Sequence, residues 1–208
     1  MKQVVLTIGR SYGSGGRTMG KLLAEEMRIP YYDREILRMA SDESGISEAL
    51  FGQADEKLKN TSLFRIAKKA YQGEVIPPES DDFTSNDNLF NYQAKVIKSL
   101  AAEGSCIIIG RCADYILKDC PNVIRLFCYA PLEDCIKRER EISGSTEKES
   151  IKKIQKEDKY RADYYRYYTG KDWNDSRNYD FCLNTASMSY EQLCRVVKSY
   201  VEEFSSNF

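Results

Sequence analysis

A cluster of glycines near the amino terminus constrains the fold of this chain more than any other feature. Val4–Ile8 is a short β-branched run that predicts a buried strand, and Arg17–Met27 carries apolar residues at helical spacing. The glycines around this junction are Gly9, Gly13, Gly15, Gly16 and Gly20. Because glycine has no Cβ, backbone amides in such a turn can approach an anion, which the helix dipole also favours. The sequence therefore predicts a phosphate-binding loop between a first strand and a first helix.

The loop matches the P-loop pattern G-x-x-x-x-G-K-[ST] only in part. With Gly16–Thr18 on the end of the pattern, Ser11 stands where the first glycine belongs and Arg17 replaces the lysine. Thr18 keeps the hydroxyl that binds Mg²⁺. We expect the phosphates of ATP to bind at Ser11, Gly13, Ser14, Gly15, Gly16, Arg17 and Thr18. A tight turn with a purely structural role is the alternative.

The same glycines also resemble a dinucleotide-binding fingerprint. Gly13 and Gly15 open a helix, and Asp33 follows at about the distance that this fingerprint requires. Thr18 stands where the third glycine belongs, so an oxidoreductase is the weaker interpretation.

The composition of the chain excludes several classes of function. The 208 residues suit one domain, and the formal net charge of −1 provides no global attraction to nucleic acid or anionic lipid. The absence of histidine excludes Ser-His triads and histidine-ligated metals. The seven cysteines form no Cys-x-x-Cys pair, so we expect reduced, mostly buried thiols. No apolar run approaches a membrane span and no signal peptide is apparent, so we expect a cytoplasmic protein.

Strands and helices alternate along the chain. The predicted strands are Val4–Ile8, Ile29–Tyr32, Ser105–Ile109, Val123–Tyr129 and Phe181–Leu183. Such alternation predicts an α/β fold in which a mainly parallel, five-stranded sheet is covered by helices on both faces. Together with the glycine loop, it indicates the three-layer architecture of a P-loop NTPase in a single domain.

Four ordered motifs, at Ser11–Arg17, Ile29–Arg34, Ile108–Ala113 and Asn178–Asp180, resemble the cytidylate kinase-like family. The resemblance covers nearly the whole chain. It implies an ATP-dependent phosphotransferase, most plausibly a nucleoside monophosphate kinase that uses Mg²⁺. It also implies an acceptor-binding helical insertion at about residues 41–104 and a lid at about residues 143–170.

The resemblance assigns roles to individual residues. Arg111 matches the arginine of an Asp-Gly-Arg-Asp acceptor motif, whose two acids are absent here, so that Asp33 or Asp114 would have to replace them. Arg138 resembles the arginine that covers the donor base, and Asn184–Thr185 the loop beside that base. The acceptor is expected at Asp33, Arg34, Gly110, Arg111, Asp158 and Arg161. Catalysis is expected to depend on Arg17, Arg111 and Arg161.

The predicted lid is the long helix Glu147–Tyr168, which is rich in Lys, Arg, Asp and Tyr. A solvated charged face is the alternative interpretation. Because aliphatic anchors are few, we expect weak docking on the core and expect Arg161 to be exposed. Asp33 has an alternative role as a helix N-cap. Tyr92, Gln93 and Lys95 are further candidates for the border of the acceptor site.

Two other functions stay open beside the nucleoside monophosphate kinase. One is a P-loop protein that binds a nucleotide without turnover, which the replacement of lysine by Arg17 favours. The other is a kinase of a non-nucleotide small molecule. Each of these functions has a nucleoside triphosphate as a partner, and the two kinases also have a phosphorylated or other small-molecule acceptor. We expect no nucleic acid and no membrane as partner. The sequence leaves the oligomeric state open.

Overall fold

The computed structural model describes residues 3–57 and 74–206. One parallel sheet has the strand order β2-β3-β1-β4-β5. Its strands are β1 (Val5–Arg10), β2 (Tyr31–Tyr32), β3 (Cys106–Ile109), β4 (Val123–Tyr129) and β5 (Phe181–Asn184). The helices are α1 (Gly16–Met27), α2 (Glu35–Ser44), α3 (Glu48–Lys57), α4 (Asn86–Glu103), α5 (Ala113–Ile116), α6 (Leu132–Ser143), α7 (Glu147–Thr169) and α8 (Tyr190–Ser206). The predicted α/β fold and its five parallel strands are confirmed.

The central strand β1 supplies side chains to two separate cores. Successive residues of a strand point to opposite faces. Val5 accordingly packs with the side chains of α2, α4 and α7, whereas Leu6 and Ile8 pack with those of α1 and α8. Both faces of the sheet are therefore covered, which gives the three-layer architecture.

Helix caps set several of the boundaries. Ser85 Oγ accepts a hydrogen bond from the backbone amide of Asn88, and α4 begins at Asn86. The polar composition of Glu74–Asn88, with Pro77 and Pro78, predicts a loop over that whole range, so the helix begins two residues earlier than expected. The spacing of Ser189 and Gln192 predicts a capping box for the last helix, and it is present: each side chain accepts a hydrogen bond from the other residue's backbone amide. Residues 58–73 of the predicted insertion lie outside the described part of the chain.

Helix α7 docks more firmly than its composition suggested. Tyr164, Tyr165 and Tyr168 are buried in the core that covers one face of the sheet. The Tyr168 ring stacks on Phe90 of α4 with the ring centroids 3.8 Å apart. The expectation of weak docking is therefore wrong for the carboxyl-terminal half of α7, because tyrosine rings replace the missing aliphatic anchors.

Within the described residues, no helix is long and apolar enough to cross a membrane.

We predict that Phe90→Ala lowers the free energy of unfolding by about 3–5 kcal/mol, the usual cost of truncating a buried aromatic residue. Urea denaturation measures this loss. Hydrogen exchange should also show faster exchange in the second half of α7. Phe181→Ala is the matched control, since Phe181 stacks on Tyr200 on the other face and its loss should leave α7 protected. Unchanged protection of α7 in Phe90→Ala would contradict the role given to this stack.

Candidate active site

The loop after β1 contains backbone amides that have no hydrogen-bond acceptor among the described residues. Gly13 and Gly15 have φ values of 75° and 80°, and Gly15 is the N-cap of α1. These left-handed conformations favour glycine, and a Cβ at Gly13 would also collide with the backbone of Cys135. No acceptor in residues 3–57 and 74–206 pairs with the amides of Gly13, Gly15, Arg17 or Thr18. Four free amides at a helix N-terminus form a site for an anion.

Arg138 and Thr185 stabilise this loop through hydrogen bonds to the Ser14 carbonyl. Arg138 Nη1 donates to Ser14 O at 2.7 Å, and Nη2 donates to Thr185 O at 2.9 Å. The Thr185 hydroxyl also donates to Ser14 O. The structure therefore places the predicted residues Arg138 and Thr185 beside the loop, where they fix its carbonyls. The contact of Arg138 with a donor base stays a prediction.

A cavity of about 730 Å³ opens next to the loop, at the carboxyl ends of β1 and β3. It is lined by arginines from separate parts of the chain: Arg10, Arg17, Arg34, Arg111 and Arg161. Asp33 and Gly110 line the same cavity. The fold thus brings together most of the predicted acceptor residues, because strand ends at one edge of a parallel sheet converge.

Asp33 is the main counter-charge of this cluster. Its carboxylate lies 2.7 Å from Arg17 Nε, and Asp33 is only 8% exposed. Its alternative role as an N-cap is wrong. The N-cap residue of α2 is Arg34, without a side-chain cap, and the Asp33 amide instead donates to Glu35 Oε2. The Asp33 carboxylate is therefore available to orient Arg17.

Arg111 is held in an unusual backbone segment. Gly110, Arg111 and Cys112 have φ values of 67°, 53° and 55°. A non-glycine residue in the left-handed region costs roughly 1–2 kcal/mol, and such strain concentrates at functional sites.

Hydrogen bonds to Gln93 and to the Asp33 carbonyl hold the Arg111 guanidinium. Nη1 donates to Gln93 Oε1 at 3.0 Å, and Nε donates to Asp33 O at 3.3 Å. Gln93 is 2% exposed, so its contact with Arg111 is shielded from water. Of the three candidates on this helix, only Gln93 reaches Arg111. Lys95 pairs with Glu43, and Tyr92 packs edge-on against Phe83.

Asp158 and Arg161 of α7 attach the helix to the glycine loop. Asp158 Oδ1 accepts the Tyr12 amide at 2.6 Å, and Arg161 Nη1 donates to Arg10 O at 3.0 Å. Arg161 Cζ lies 5.3 Å from the centroid of the Tyr12 ring. The Arg161 side chain is 20% exposed, which corrects the expectation of an exposed arginine. Burial lowers the pKa of Arg161 and raises the pKa of Asp158.

The sequence did not indicate three cavity residues: Arg10, Trp173 and Tyr179. Arg10 directly precedes the glycine motif and lies two residues after the predicted strand Val4–Ile8, which was a usable signal. The aromatic wall of the cavity is formed by Tyr160, Tyr164, Tyr165, Trp173 and Tyr179, of which the first three lie on the same helix as Arg161. Trp173 lies in a segment without periodicity, so nothing in the sequence placed it here.

Asp114, a candidate replacement for the missing acids, also lines the cavity. It is 8% exposed, and its carboxylate accepts a hydrogen bond from the Tyr165 hydroxyl at 2.7 Å. Burial raises the pKa of Asp114 despite this bond. Within the described residues, no group of three or more acidic or cysteine side chains could hold a metal ion by itself.

Known proteins are similar to this chain in sequence or in fold. Residues 5–187 match the cytidylate kinase-like family. A cytidylate kinase of Methanosarcina barkeri is 28% identical over 95% of this chain and 96% of its own. An uncharacterized protein from Eubacterium ventriosum has a TM-score of 0.70 and 27% identity, covering 96% of this chain and 99% of its own. A shikimate kinase from Bacteroides thetaiotaomicron has a TM-score of 0.55 at 12% identity over 96% of this chain and 99% of its own, a likeness of fold alone.

The profile match spans most of the chain, and the related sequences and structures agree with the P-loop kinase architecture of the sheet. The conclusion is a phosphotransferase of the nucleotide or small-molecule kinase type: the chain belongs to the cytidylate kinase-like family.

Proposed function

We propose that the protein is an ATP-dependent nucleoside monophosphate kinase with a cytidylate-like acceptor. One observation carries the proposal. A single cavity beside the glycine loop is lined both by arginines and by the aromatic wall. A phosphate and a planar base need these two surfaces side by side.

The glycine loop suits the donor. Its free amides and Arg17 would bind the phosphates of ATP, and the Ser11 hydroxyl, buried without a partner among the described residues, adds a further polar atom. Mg²⁺ would be held by the Thr18 hydroxyl and by phosphate oxygens, since Mg²⁺ often takes few protein ligands in kinases. Bound there, it would neutralise charge on the phosphates.

The acceptor would bind in this cavity. Its phosphate would bind to Arg111, which Gln93 and the Asp33 carbonyl hold in place, and to Arg34. Its base would pack among the aromatic rings near Trp173. The region 41–104 would then form the acceptor side of the cavity, as its described helix α3 contributes Glu48, Ala49 and Gly52.

The reaction needs positioning and charge more than proton transfer. An oxygen of the acceptor phosphate attacks the γ-phosphorus of ATP, and the bond from that phosphorus to the bridging oxygen breaks as ADP leaves. The attacking oxygen carries negative charge at pH 7, so no general base is required. Arg17, Arg111 and Arg161 would stabilise the charge on the transferring group. A chain without histidine can therefore catalyse it.

Closure would involve the amino-terminal part of the lid. The buried tyrosines of α7 anchor its second half, whereas Asp158 and Arg161 contact the loop itself. We propose that residues 143–157 move over bound nucleotides and that the remainder of the lid stays docked. With ATP as donor, the cytoplasm is the compartment that suits this reaction.

A kinase of a non-nucleotide acceptor is the second candidate. The same architecture occurs in a shikimate kinase, so the fold does not fix the acceptor. The aromatic wall favours a nucleotide, because its planar base can stack on aromatic rings, whereas small hydroxylated acids such as shikimate and gluconate have no aromatic ring.

An assay of phosphoryl transfer from ATP in the presence of Mg²⁺ tests the proposal. The panel holds all ribo- and deoxyribonucleoside monophosphates, with shikimate and gluconate as non-nucleotide acceptors. We expect transfer to a pyrimidine monophosphate above all others. Transfer to a non-nucleotide alone would establish the second candidate, and ATP binding without any transfer would establish a binding protein.

Arg111→Ala should weaken acceptor binding far more than ATP binding. Loss of a charge-assisted contact in a shielded site costs roughly 2–3 kcal/mol, or about 30- to 150-fold in affinity. Isothermal titration with each nucleotide measures the two constants. Arg195→Ala, an exposed change on α8, serves as control. If Arg111→Ala lost affinity for ATP instead, the donor and acceptor sites would be reversed.

ATP with Mg²⁺ should raise the melting temperature of the protein, whereas NAD should not. A ligand that binds only the folded state stabilises it by mass action, by about 2.7 kcal/mol at a concentration of 100 Kd. Differential scanning fluorimetry over a concentration series detects the shift. Equal stabilisation by NAD would support the dinucleotide-binding interpretation of the glycine loop.

A further inference from the structure

We infer that Arg10 is a catalytic residue that binds the transferring phosphoryl group. The inference rests on the proposed function and names a residue outside the motifs that first indicated it. Arg10 is the last residue of β1 and directly precedes the glycine loop.

The position of the Arg10 side chain is set by its neighbours. Its guanidinium packs against Gly110, where a Cβ would collide with Arg10 Nη1. Its backbone carbonyl accepts Arg161 Nη1 at 3.0 Å. Arg10 therefore lies between the loop that would hold the donor and the Gly110–Arg111 turn that would hold the acceptor.

The Arg10 guanidinium lacks a compensating partner. Among the described residues, it forms neither a hydrogen bond nor an ion pair through its side chain. Asp33 is the nearest influence of opposite sign, and that carboxylate already pairs with Arg17. Arg10 is half-buried and lines the cavity, so an anion bound there would supply the opposite charge that its guanidinium lacks.

The charges around Arg10 also favour a bound anion. Burial and the positive charges of Arg161, Arg17 and Arg111 lower its pKa to about 9, against the opposing effect of Asp33. The side chain stays protonated at pH 7. Arg10 and these three arginines repel one another, and a bound anion would offset that repulsion.

The position of Arg10 between the glycine loop and Arg111 indicates which anion it would bind. Under the proposed function, the free amides of the loop would hold the donor phosphates and Arg111 would hold the acceptor phosphate. The group between these two sites is the phosphoryl group in transfer, whose equatorial oxygens carry the charge of the transition state. A planar guanidinium can contact two of those oxygens at once. Arg10 takes no proton and forms no covalent bond; only the P–O bonds to donor and acceptor exchange.

Arg10→Met tests the inference by steady-state kinetics with the acceptor found in the panel. We expect kcat to fall by at least about 100-fold, as for loss of a transition-state donor, with both KM values within about 3-fold of wild type. Arg10→Lys, which keeps the charge but loses the planar fork, should recover part of kcat. Arg195→Met, an exposed arginine change on α8, should leave kcat unchanged.

A second readout does not depend on activity. Inorganic tripolyphosphate should raise the melting temperature of the wild type more than that of Arg10→Met. The ligand-free Arg10→Met protein should melt no lower than the wild type, because the substitution removes a repelled charge. A ligand-free variant that melts well below wild type would show a structural arginine and overturn the inference.

The kinetic outcomes separate the two claims. Active wild type with an equally active Arg10→Met variant would overturn the role of Arg10 alone. Wild-type protein that transfers no phosphoryl group to any acceptor would overturn the proposed function and this role with it.

Discussion

Repulsion among the arginines around one cavity is the constraint on which the rest of the site depends. Arg10, Arg17, Arg111 and Arg161 come from four different elements, and like charges at close range oppose folding unless something holds them. The protein supplies two carboxylates, Asp33 beside Arg17 and Asp158 beside Arg161. It also supplies neutral acceptors: the Gln93 amide oxygen and the carbonyls of Arg10 and Asp33. The Arg10 guanidinium is left for a ligand.

The backbone conformation of the glycine loop and of the Gly110–Cys112 turn positions the arginines of the site. Glycines at the loop and at position 110 allow left-handed turns and close approach of an arginine, and Arg111 and Cys112 accept the same strained conformation. Helix α7 completes the site through Asp158, which takes a loop amide that would otherwise be free. Its buried tyrosines tie this contact to the core, so the site is coupled to the packing of α4 and α7.

The sequence indicated the fold well because hydrophobic periodicity and glycines report local structure. The strands at Val5–Arg10 and Val123–Tyr129 were predictable from β-branched runs alone. The chemistry of the site was only partly predictable. Arg111 and Arg161 could be identified by resemblance, whereas the partners of Asp33 and the aromatic wall with Trp173 arise from contacts across the sheet edge. Weak docking of α7 was a wrong expectation because charge density says little about where tyrosines lie.

The most direct test of this account is a crystal structure of the protein with Mg²⁺ and a bisubstrate analogue in which five phosphates join adenosine to the preferred nucleoside. We predict that the donor phosphates contact the amides of Gly13–Thr18, that the acceptor-side phosphate contacts Arg111, and that the acceptor base lies against the aromatic wall. A phosphate chain bound elsewhere on the protein, with the arginine-lined cavity empty, would contradict the account.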